Sequence, residues 1–231
     1  SAEDWEASEP PPPQALITAF RSAPRLVQRT YFFPYQEGVQ FVFELYGRDG
    51  FDGIDAAYLA LPQSTEQVLH PDKYDAGDTP VEVILPDVLQ SLGEGWTLVS
   101  EDTLGEFFLQ AYLEALLEPE DAAEAGAGWG GDRYAMLADP SGRTVVFLVA
   151  QWDTEGDATE FANAFATFTH LRTDGEWENL DGSTDTLAVD LPDQAIFLGV
   201  SGQKTIVVFA PDRASMEAAR SAITGTDNID G

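Results

Sequence analysis

The sequence predicts an α+β protein: a mostly helical N-terminal part packed on a ββα–ββα repeat with a four-stranded, mainly antiparallel sheet. Three observations lead there. Residues 15–128 carry apolar side chains mainly at helical spacing, interrupted by two short strand-like runs. Two later stretches, RYAMLADPSGRTVVFLVAQWDTEGDATEFANAFATF and QAIFLGVSGQKTIVVFAPDRASMEAARSAI, share one order: strand, Ser-Gly turn, strand, aspartate, alanine-rich helix. Hydrophobic residues make up 44% of the 231 positions, enough to build a packed core.

The elements follow in chain order. Residues 1–14, SAEDWEASEPPPPQ, read as an acidic, proline-rich linker or processed terminus, because four successive prolines favour an extended spacer. In the helical part, 15–128, Pro24 breaks a first short helix, and a second runs toward Phe33. Pro34 suits the first turn of the next helix, in which Val39, Val42, Phe43 and Tyr46 share a face expected to be buried. A following helix turns Ile54, Ala57 and Tyr58 inward and stops before Pro62. In STEQVLHPDKY, Ser64 and Gln67 stand at capping-box spacing, and Pro71 keeps His70 from continuing the helix. Val81 to Pro86 and Trp96 to Ser100 read as strands. Thr103 and Glu106 form a second capping-box pattern before LGEFFLQAYLEALLEP, with Leu104, Phe107, Phe108, Ala111, Ala115 and Leu116 on its inner face. In the last part, 129–231, both repeat helices are expected on one face of the sheet, with Phe161, Phe165 and Phe168 as a core stripe.

Charge narrows the function classes. Forty-one acids face eleven bases, a net charge of -30. Phosphate backbones and anionic membrane surfaces repel such a chain, so nucleic acid is not an expected partner. Only two lysines occur, Lys73 and Lys204, and the acids are dispersed. That is the composition of a haloarchaeal protein, whose self-repulsion molar salt screens; the plainer reading is an ordinary acidic secreted protein. Without cysteine there is no disulfide framework and no thiolate zinc site. No apolar run approaches the ~18 residues of a transmembrane helix.

Catalytic motifs are missing. The chain has no H-E-x-x-H, no G-x-S-x-G elbow, no P-loop and no dinucleotide fingerprint. GAGWGGDRY reads as a tight turn with a buried Trp129 and an Asp132–Arg133 contact to backbone or partner. His70 is weighed as a ligand or base against the commoner role of packing at a helix end; His170 suits a helix C-terminus. Asn179, Asp181, Ser183 and Asp185 alternate around Gly182 as a loose calcium loop, without the later bidentate glutamate.

Three segments carry a family resemblance: PYQEGVQFVFELYGRDGFDGIDAAYLALPQSTEQVLHPDKY, GWTLVSEDTLGEF and GWGGDRY. Together they resemble a family of secreted, cell-surface proteins of haloarchaea and bacteria. Members often carry an upstream part that looks like a gluzincin zinc peptidase. The resemblance implies an extracellular location and makes this chain similar to the C-terminal part. It also makes Glu37, in PYQEG, the counterpart of the third zinc ligand, useful only with an upstream half, since catalytic zinc needs about three protein ligands. The leading reading is a non-catalytic surface protein of a halophile, acting by binding or assembly with other surface or envelope proteins or its own upstream fragment. The alternatives are the C-terminal half of a gluzincin-like metallopeptidase and a calcium-binding surface module. No cofactor is expected under the first; zinc or calcium belongs to the others.

Overall fold

The computed structural model describes residues 14–180, 182 and 184–224, with the side chains of 15, 16 and 224 left aside. It is α+β: ten helices and an open, antiparallel, seven-stranded sheet among the described residues. Helices α1 (Gln14–Ser22), α2 (Arg25–Asp49), α3 (Phe51–Leu59), α4 (Thr65–Leu69), α5 (Pro71–Ala76) and α6 (Leu89–Leu92) precede strand β1 (Thr97–Asp102). Then come α7 (Glu106–Leu113), α8 (Pro119–Gly126), β2 (Trp129–Ala138), β3 (Thr144–Trp152) and α9 (Glu155–Thr173). The chain closes with β4 (Glu178–Asn179), β5 (Thr186–Leu191), β6 (Gln194–Ser201), β7 (Lys204–Ala210) and α10 (Arg213–Thr224). The strand order is β1-β2-β3-β7-β6-β5-β4.

The expected four-stranded sheet is thus too small. The two ββα stretches do occupy its middle, but β1 extends one side and the β4–β5 pair the other. The two helices also lie on opposite faces, not one. Alternate residues of β3 show why. Leu148, Ala150 and Trp152 join the core under α9, with Phe161, Phe165 and Phe168. Val145, Phe147 and Val149 join the core under α10, with Met216, Ala219 and Ile223. Thr144 and Thr205 begin matching runs, yet β3 ends eight positions after Thr144 and β7 only five after Thr205. Side chains alternate with period two, so an odd difference sends the chain off the sheet on the other face. Two antiparallel neighbours related by a two-fold axis would carry both helices on one face, so the stretches are not equivalent copies.

The helical region departs from expectation at three points. First, α2 runs through Pro34 as one helix of 25 residues. Across the proline, Arg29 bonds Glu37 at 2.9 Å and also faces Glu114 on α7 at 3.0 Å, while Phe33 packs on Phe107. Second, the buried face of α2 is the line Arg29, Phe33, Glu37, Phe41, Leu45, spaced by four, with Phe41 and Leu45 in the core. Val39, Val42, Phe43 and Tyr46 point outward, as does Tyr58 on α3. The inner line carries two charges that pair with each other, so apolar periodicity selected the wrong stripe. Third, no capping box forms at Thr103. Gly105, at φ 79°, precedes α7, and the Thr103 hydroxyl donates to the Asp132 carbonyl instead. The inner face of α7 includes Leu109 and Leu113, while Leu116 is exposed.

Residues 81–86 are not a strand. They belong to an extended strap, residues 80–88, that crosses the α10 face of the sheet rather than joining its edge. Val83 and Leu85 pack on the core of that face and Val88 is buried in it. Its bond to the sheet backbone is Val81 N–H to Gly130 O, 2.7 Å. Gly131 explains the crossing point: any Cβ there would run into the Val81 carbonyl. Replacing Gly131 with Ala should therefore cost about 1–3 kcal/mol and lift this end of the strap. Denaturant unfolding with amide exchange at Val81 checks it; unchanged protection would show that the contact does not hold the strap.

Candidate functional site: a buried polar knot

The three segments that carry the resemblance meet in space. Ser64 caps α4, its oxygen accepting from Gln67 N–H at 3.1 Å, so Glu66 and Gln67 are turned inward and buried. Gln67 completes the corner differently from a reciprocal box: its oxygen accepts from Gln63 N–H, and its amide donates to the Asp78 carbonyl. Pro71 ends α4 at His70 and starts α5, which brings Lys73 back over Glu66.

At the centre lies Glu106, the first residue of α7, with no exposed surface. His70 Nε2 sits 2.8 Å from Glu106 Oε1, and the Gln110 amide donates to the same oxygen at 2.7 Å. Lys73 donates to Glu66 at 2.5 Å and to Asp153, just past β3, at 2.6 Å. Three carboxylates thus share one ammonium and one imidazole. The second Glu106 oxygen is buried without a hydrogen-bond partner.

Burial sets the electrostatics. It pushes the Glu66 carboxyl up to about 6, against the pull of the Lys73 bond. The hydrogen bond to Glu106 raises His70, with burial opposing. Burial works against the Lys73 charge, but its bonds to Asp153 and Glu66 outweigh it and hold the ammonium protonated.

Beside the knot, Asp132 ties strand to helix. The GWGGDRY segment sets it at the start of β2. One carboxylate oxygen accepts from Gly105 N–H (2.8 Å) and from the Trp129 indole (2.9 Å); the other accepts from Leu104 N–H (2.8 Å). Burial raises its pKa while these three donors lower it. Trp129 is buried and Asp132 contacts backbone, as expected, but the segment enters a strand rather than forming a tight turn, and Arg133 bonds the Glu101 side chain.

The remaining candidates are elsewhere. Glu37 lies in α2, paired to Arg29, with its second oxygen buried and unpartnered. Asn179 is in β4 and pairs with Leu187, and the Asp185 carbonyl accepts from Val200 N–H, so both serve the sheet near the β4–β5 connection. Asp181 and Ser183 lie outside the described residues. Among the described residues no group of three or more His, Asp or Glu is arranged to hold a metal ion. Glu66, Lys73, Glu106 and Asp132 were missed as site residues. The available signal was a lysine in a chain that has only two.

Replacing Asp132 with Ala should lower stability by about 3 kcal/mol, because three donors lose their buried acceptor; denaturant unfolding at molar KCl measures it, with Asp132→Asn giving a smaller loss. The knot also predicts a pH trend. Glu66 and His70 both have folded pKa values raised above their ordinary ones, so both favour the fold at lower pH. The Glu66 share is complete below 4.5 and lost as pH rises through about 6; the His70 share is complete below 6.5 and lost above it. At fixed molar KCl, unfolding free energy should rise as pH falls from about 8 to about 5. A Glu66→Gln, His70→Gln variant should flatten that slope.

Comparison with known proteins gives one family. Its description is "Domain of unknown function (DUF8575)", and it matches residues 95–220, from just before β1 into α10. No curated protein matches. Among solved structures, the extracellular domain of PknH from Mycobacterium tuberculosis aligns with a TM-score of 0.40 at 13% identity, covering 65% of this chain and 99% of that one. No helix among the described residues is long and apolar enough to cross a membrane. The family match takes in more than half of the chain, including β1, the Asp132 tie, the first ββα stretch and most of the second, and the chain belongs to the DUF8575 family.

Proposed function

We propose that this chain is a binding or assembly module of an extracellular, cell-surface protein of a halophile, and that it works through the outer face of α2 and α3. The observation that carries this reading is the exposure of that face. Tyr35, Phe43, Phe51, Tyr58 and Leu59 are each two-thirds exposed or more, and Tyr31, Val39, Val42 and Tyr46 continue the stripe along α2. Contiguous apolar surface of this kind marks an interaction site. It stands out more in a chain of net charge -30. The polar knot supports the same reading, because its charges are spent on one another and hold α4, α5, α7 and β3 together. The extracellular and halophilic parts rest on the sequence resemblance and on the dispersed acids.

A second reading has one observation in its favour. The buried, unpartnered Glu37 oxygen suits a residue whose surroundings are completed by another segment, as in the C-terminal half of a gluzincin-like metallopeptidase. Zinc analysis of protein purified from its native source separates the two: zinc retained through dialysis supports this one.

For the first reading, light scattering at molar KCl should give a mass above the 25.1 kDa of one chain, either alone or with surface proteins of its source. Tyr35→Glu with Phe43→Glu should return it to one chain without changing its circular dichroism. A wild-type chain that stays monomeric in both settings overturns the assembly reading.

A further inference from the structure

The strap leaves a cavity of about 550 Å³ between itself and the β1 side of the sheet. Its floor is Ala135, Leu137 and Phe147, all buried core residues, and its walls include Val83 and Leu85 of the strap and Leu98 of β1. It lies on the α10 face of the sheet, away from the α2–α3 surface. The volume is in the range of small-molecule sites, roughly 300–1,000 Å³. The strap can adjust to an occupant, because among the described residues no backbone hydrogen bond ties residues 82–86 to anything.

The charged lining selects the occupant. Glu82, Asp87, Glu101 and Asp132 line the cavity against one base, Arg133. Arg133 is already engaged, donating to Glu101 at 2.9 Å. Asp132 is taken up by its three donors, and one Asp87 oxygen accepts from Leu89 N–H. The Arg133 ion pair also neutralises Glu101, so the charge left to face a ligand is acidic and comes from Glu82 and Asp87 of the strap. An anionic amphiphile would meet repulsion; an apolar body with a cationic head would not. We propose that the strap cavity is a binding site for a small organic cation with an apolar body, which lies on Ala135, Leu137 and Phe147 with its cationic group toward Glu82. The site is independent of the assembly surface, so either proposal can fail alone.

Isothermal titration tests it, in the lowest KCl concentration that keeps the native circular-dichroism spectrum. The probe is octyltrimethylammonium; octanoate carries the opposite charge on a similar body, and tetramethylammonium carries the head alone. Saturable one-to-one binding of the first, at least about tenfold tighter than either control, is the expected result. Leu98→Trp, at a half-exposed position on the rim, should fill the mouth and abolish it. Glu82→Gln should narrow the preference over octanoate. Absence of saturable binding, equal binding of octanoate, or binding untouched by Leu98→Trp in a folded variant would each overturn the proposal.

Discussion

The Asp132 carboxylate is the constraint on which the rest of this structure depends. It is buried at the start of β2 and accepts from the two residues that lead into α7 and from the Trp129 indole. A buried carboxylate without such donors would cost several kcal/mol, so strand and helix are held in one relative position. That position puts Glu106, two residues past the Leu104 N–H, into the interior. Glu106 then draws in His70 and Gln110, and the α4–α5 corner follows. The order of dependence runs from a glycine-rich strand entry to the helical layer it supports.

Glycines make this geometry available at two places. Gly105 has φ 79°, and a side chain there would strike the Thr65 hydroxyl, so α4 and α7 approach only because it is bare. Gly131 does the same for the strap. The knot and the strap cavity therefore share one strand entry but face different chemistry. The knot pairs its charges inside the protein, whereas the cavity leaves acids facing open space.

The apolar face of α2 and the buried charges on its other side invert the usual arrangement of an amphipathic helix. Arg29 and Glu37 are tolerated inside because they pair with each other and Arg29 reaches Glu114. The outer stripe has no such partner within the described residues, and this asymmetry is what points to an external one.

Much of the fold was legible in the sequence. A shared order of apolar run, Ser-Gly turn and apolar run identified β2, β3, β6 and β7. Period-four apolar residues identified α7 and α9, and Pro71 placed the break at His70. These are local effects of backbone geometry, and a single segment carries each of them. The outer strand β4 was missed because two residues carry no pattern, and its neighbour β5 went with it. Val81 to Pro86 has strand composition but crosses the sheet, a choice made by contact with Gly130 and Gly131 rather than by its own residues. The face on which each helix packs turned on an odd difference in strand length, which acts only once both strands share a sheet. At the site, the sequence by itself determined three motif segments and a capped corner at Ser64. Only the tertiary structure decided that they converge on Glu106 and Asp132, because ion pairs and buried acceptors join residues far apart in the chain, and no local spacing encodes which partner each will meet.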